Sequence, residues 1–186
     1  LAANSAFNNM SLNENKMECS FICQAVENRV LGAQSGCMDQ ISVAHAEENK
    51  LLPINCSLPM KPSAVGLGIS IPTHMEIAAL QCGITRDVAG LQYNRAHTAT
   101  VLGKLMLRQQ CELPGLQNLA DITPEIFSTL ENYLPLEMTG EEFLESYSMR
   151  VLKPLSVAID PKAMYPVLAA VSFPIEENAR VKEFIK

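Results

Sequence analysis

Between two helix-forming stretches the chain reads Gly32-Ala-Gln-Ser-Gly36, followed at once by Cys37-Met38-Asp39-Gln40. Upstream, Met17, Phe21, Ala25, Val26 and Val30 recur at helical spacing. They predict a helix over roughly 12–31, opened by a Ser11-x-x-Glu14 capping box and stopped at Gly32. Ser35 is expected to cap a second helix running from about Cys37 to Ala46. That order holds Asp39 in a first helical turn, where the positive end of the helix favours a carboxylate.

Three strand-like runs follow, Lys50 to Leu58, Val65 to Ile71 and Met75 to Ile84, limited by Pro53, Pro59, Pro62 and Pro72. Helical spacing returns from Asn94 to Gln110, with Ala99, Leu102, Leu105 and Met106 on one face, and Leu113-Pro-Gly breaks it. Thr123-Pro124 opens a short helix, proline suiting a first helical position. Thr139-Gly-Glu-Glu142 is a second capping box. Residues 151–175 carry Pro154, Pro161, Pro166 and Pro174 and read as a connector with short strands, before a helix over 176–186. Helices, then strands, then mainly helices predict an α+β fold, with a boundary near residues 85–95. Leu1 is not Met and the last helix runs to the chain end, so an internal fragment is expected.

With 48% hydrophobic and 18% charged residues, a buried core is expected over disorder. A net charge of −6 argues against nucleic-acid binding, which needs a basic stripe. No apolar run approaches the ~20 residues of a membrane helix. Cysteines at 19, 23, 37, 56, 82 and 111 show no Cys-x-x-Cys and read as reduced thiols of a cytoplasmic protein. His45, His74 and His97 have no metal spacing, so no metal site is expected on this chain. Gly66-Leu-Gly68 opens no helix and is not a phosphate loop.

From its position alone, Asp39 does no more than complement the helix dipole, worth about 0.3–1 kcal/mol. The pattern Gly32-x-x-x-Gly36-x-Met38-Asp39-Gln40, however, closely resembles the aspartate segment of the GHMP family of small-molecule kinases. Within that family it is most similar to the sugar-1-kinases, the L-arabinokinases and galactokinases. Gly90-Leu-Gln-Tyr93 resembles the stretch whose tyrosine contacts the sugar, directly before the helix that starts the C-terminal domain. Weaker echoes are Val26-Glu27-Asn28, Asn49-Lys50, Gly140 to Tyr147 and Glu177 to Phe184.

The resemblance implies a sugar-1-kinase that moves the ATP γ-phosphoryl group to the anomeric hydroxyl of a monosaccharide, with Mg²⁺. It implies Asp39 as general base or electrostatic anchor, and Gly36, Met38 and Tyr93 beside it as substrate-binding residues. The implied fold has two domains, residues 1–88 in the N-terminal kinase domain and 89–186 opening a ferredoxin-like C-terminal domain. The family's phosphate loop is expected upstream of Leu1, so this chain alone is expected to be inactive. Galactokinase, or a non-catalytic sugar sensor, are the alternatives.

Overall fold

A computed structural model of the chain describes residues 15–33, 35–57, 64–84, 90–147 and 157–185. Two compact units, Leu1–Ala89 and Gly90–Lys186, divide it. Helices with a few two-residue strands make up both units, an α+β composition. No described helix is long and apolar enough to cross a membrane. The first capping box, at 11–14, lies outside the described residues.

In the first unit, α1 (Lys16–Val26) continues without a break into a π-helical turn, Glu27–Leu31. Gly32 ends it at φ 72, a left-handed conformation in which a Cβ would be strained. Helix α2 (Met38–His45) packs back against α1. Cys19, Ser20, Ala33, Cys37 and Ile41 are buried. Ser35 does not cap α2; Cys37 holds the N-cap position and no side chain bonds into that helix end.

The strand expectations shrink. β1 (Lys50–Leu51) pairs antiparallel with β2 (Ile69–Ser70), and a single bridge joins Ile54 to Val65. Pro53 interrupts the ladder because it has no N–H, although its carbonyl still accepts from Gly66 at 2.9 Å. Gly66 and Gly68 therefore sit on a ribbon, facing Pro53 and Lys50. Residues 75–84 form no strand and no ladder partner reaches them among the described residues; Ile77, Leu80 and Ile84 are exposed.

In the second unit, α3 (Leu91–Gln110) lies along α6 (Val167–Phe184). Gly103 permits the approach: a Cβ there would overlap the Val171 side chain. Leu102, Met106 and Leu107 of α3 meet Val167, Val171 and Ile175 of α6 in one core with Phe127 and Phe143. Phe143 stacks on Tyr147, ring centroids 4.4 Å apart. Helix α4 (Pro124–Leu130) starts as expected, Thr123 Oγ1 accepting from the Ile126 N–H. β3 (Met138–Thr139) pairs with β4 (Met164–Tyr165) and runs into α5 (Gly140–Ser146), whose Thr139–Glu142 capping box is complete.

The connector expected over 151–175 is instead helical from Val167, and Pro174 lies inside α6. Proline at 174 removes the N–H that would bond the Ala170 carbonyl. Thr100 Oγ, on the facing helix, lies 3.2 Å from that carbonyl and 3.0 Å from the Ala96 carbonyl of its own helix, so its one hydrogen is within reach of both. A residue on another helix thus brings a hydroxyl within hydrogen-bond distance of the carbonyl that the interior proline leaves.

Candidate functional site

The turn before Asp39 is fastened to the end of α1. Ser35 Oγ donates to Glu27 Oε2 at 2.7 Å and lies 3.2 Å from Asn28 Oδ1, which also accepts from the Ser35 N–H. Gln24 Nε2 donates to the Ser35 carbonyl at 3.1 Å. The wide turn at Glu27–Leu31 brings Glu27 and Asn28 to where Ser35 can reach them. The Ala33 N–H closes the same turn on the Glu27 carbonyl at 3.2 Å. π-Turns of this kind are frequent at functional sites.

Asp39 is the second residue of α2, beside the positive end of that helix. Its carboxylate is exposed and makes no hydrogen bond or ion pair among the described residues. It opens onto a groove of about 180 Å³ lined by Cys19, Ser20, Cys23 and Glu27 from one side and Asp39, Gln40, Val43 and Ala44 from the other. Drug-sized ligands occupy about 300–1,000 Å³, so this volume suits a smaller guest. The lining carries two carboxylates and no basic side chain. Among the described residues it therefore offers carboxylate acceptors to hydroxyl groups and no cationic side chain to a phosphate. Burial pushes the Cys37 thiol up, with Cys56, Cys23 and Glu27 adding to the effect, so this cysteine stays a neutral, packed thiol.

Ser20 ties the two helices together, its hydroxyl lying 2.9 Å from the Lys16 carbonyl and 3.2 Å from that of Gln40. The Gln40 side chain is different: its Oε1 is buried with no donor among the described residues. A buried acceptor left this way costs about 1–3 kcal/mol.

The residues singled out in the sequence thus have different surroundings. Gly36 is exposed, and a Cβ there would meet none of the described residues within 4 Å. Met38 is 54% exposed and does not line the groove. Tyr93 belongs to the second unit; it is half-buried in the first turn of α3, which starts at Leu91 rather than Asn94. The sequence marks Glu27 and Asn28 only as part of a family-like stretch and Ser35 as a helix cap; that they hold the turn together is decided by the fold. No group of three His, Cys, Asp or Glu among the described residues could hold a metal ion.

The chain is 30% identical to L-arabinokinase of Arabidopsis thaliana over 90% of its own length and 18% of that protein. It is 31% identical to a galactokinase of Actinobacillus pleuropneumoniae over 59% of this chain and 26% of the relative. A galactokinase of Glaesserella parasuis is 30% identical over 67% and 29%. The chain thus spans less than a third of the length of these relatives. No family model and no solved structure matches it.

Proposed function

We propose, for a chain homologous to the L-arabinokinases and galactokinases of the GHMP sugar-kinase family, that its groove binds a monosaccharide in a kinase acting on the anomeric hydroxyl. The observation that carries this reading is the exposed Asp39 carboxylate, without a partner among the described residues, on a groove of small volume whose lining includes a second carboxylate, Glu27. Asp39 would hold the reacting hydroxyl and take its proton, or stabilise it as a fixed charge. Phosphoryl transfer asks chiefly for positioning and electrostatics, and the Ser35 clamp supplies the first by fixing the turn that carries Asp39. Gly36 would leave bare backbone where the sugar approaches, with Met38 beside it, and Tyr93 would add a hydroxyl contact.

ATP and Mg²⁺ are the cofactors this reading implies for the whole enzyme. The groove itself does not fit a triphosphate, because its lining carries two carboxylates and, among the described residues, no basic side chain. The two units would be parts of the N-terminal kinase domain (1–88) and of the C-terminal ferredoxin-like domain (89–186). A cytoplasmic location belongs to the same reading.

The test is Asp39→Asn in the full-length protein. The amide keeps the shape of the side chain and removes its charge and basicity. Sugar binding and melting temperature should be kept, while kcat falls about 10²–10⁴-fold. A kcat within about threefold of the unsubstituted enzyme would reduce Asp39 to a helix-end carboxylate. Sugar binding by an unsubstituted protein with no turnover would identify a sensor instead.

A further inference from the structure

Gln40 follows Asp39 directly and lines the same groove, yet its amide oxygen has no donor among the described residues. The main chain of Gln40 is held, since its carbonyl accepts from Ser20. The other lining groups cannot supply the missing hydrogen. Glu27 and Asp39 are acceptors when ionised, Val43 and Ala44 are apolar, and the thiols of Cys19 and Cys23 are weak donors. The one hydrogen of Ser20 is directed at backbone carbonyls. A ligand must therefore bring its own donors. A polyhydroxylated sugar does so, and a phosphate offers chiefly acceptors.

Resting on the sugar-kinase reading, we propose that Gln40 is a sugar-binding residue whose amide carbonyl accepts a hydrogen bond from a ring hydroxyl other than the one held by Asp39. The terminal torsion of a glutamine is soft, so a turn of the amide carries Oε1 from its buried position to the groove. Two adjacent helix residues would then read two hydroxyls of one sugar, and the second contact would discriminate among monosaccharides.

The experiment compares the full-length kinase with its Gln40→Met variant, on the sugar it phosphorylates and on each monodeoxy analogue of that sugar. Methionine keeps the length of the side chain and removes the carbonyl. The sugar KM should rise about three- to tenfold, with the ATP KM unmoved. One monodeoxy analogue, weaker than the sugar for the unsubstituted enzyme, should be as good as the sugar for the variant. Ile41→Val is the packing control, because it loosens the contact between α1 and α2 and leaves the amide in place. Should Gln40→Met fail to fold, Gln40→Glu keeps an acceptor and should keep the sensitivity to that one hydroxyl. An unchanged sugar KM, the same penalty for every analogue in both proteins, an equal KM rise in Ile41→Val, or loss of the hydroxyl pattern in Gln40→Glu overturns the assignment. A full-length protein that phosphorylates no monosaccharide overturns the sugar-kinase reading and Gln40 with it. Turnover with an unaltered hydroxyl pattern overturns Gln40 alone.

Discussion

Replacing Thr100 by valine tests how α6 survives an interior proline. Valine matches threonine in shape and removes the hydroxyl. Two carbonyls lie near that hydroxyl, Ala96 at 3.0 Å and Ala170 at 3.2 Å. Ala96 loses little, because the Thr100 N–H already serves it within α3. Ala170 loses the Thr100 hydroxyl, and Pro174 has no N–H to offer in its place. An orphaned carbonyl costs about 1–3 kcal/mol, and the low end applies because the site is only partly buried and water can enter. About 1 kcal/mol lowers the melting temperature of a domain of this size by about 4–8 °C. Pro174→Ala returns an N–H to Ala170, so in that background Thr100→Val should cost close to nothing. The coupling between the two changes should then be about 1 kcal/mol, measured by urea unfolding of all four proteins under circular dichroism. Equal costs of Thr100→Val with and without Pro174 would refute the compensation.

Other perturbations test other parts of the molecule. Gly103→Ala places a methyl group on the Val171 side chain and should destabilise by about 1–3 kcal/mol, read as a lower urea midpoint with unchanged slope. Tyr93→Phe in the full-length kinase should raise the sugar KM up to about tenfold and leave the ATP KM alone; an equal rise for both removes Tyr93 from the site. Burial, helped by the Lys104 charge, holds His97 below its ordinary value of 6.5, and its Nδ1 is buried without a partner among the described residues. The unfolded chain therefore binds this proton before the folded one does, and stability should fall as pH drops from about 7 through 6.5. His97→Gln should flatten that part of the melting-temperature profile, whereas an unchanged profile would assign the slope to other groups.

The parts of this protein that the sequence determined by itself depend on neighbours three or four residues apart. Gly32 stops a helix because only glycine sits comfortably at its positive φ, and Asp39 falls in a first turn because a helix starts at Met38. The caps at Thr123 and Thr139 are local hydrogen bonds, and both formed where the residue types placed them. The apolar face of α3 also followed from periodicity, which needs no knowledge of what covers it.

What failed to read from the sequence was decided by partners distant along the chain. Ser35 has the composition of an N-cap, but Glu27 and Asn28 compete for its hydroxyl, and the π-turn that positions them wins. Pro174 has the composition of a helix breaker, but Thr100, on another helix, brings its hydroxyl to 3.2 Å from the carbonyl it abandons. The run from Met75 to Ile84 has strand-forming residues, yet a strand exists only where a second chain segment offers its hydrogen bonds, and none of the described residues does so. The groove before Asp39 exists only because α1 and α2 pack together, which brings Cys19 and Glu27 to the same cleft as Gln40. Local propensity sets where an element can start, but whether it continues depends on hydrogen-bond donors and packing surfaces supplied from elsewhere in the chain.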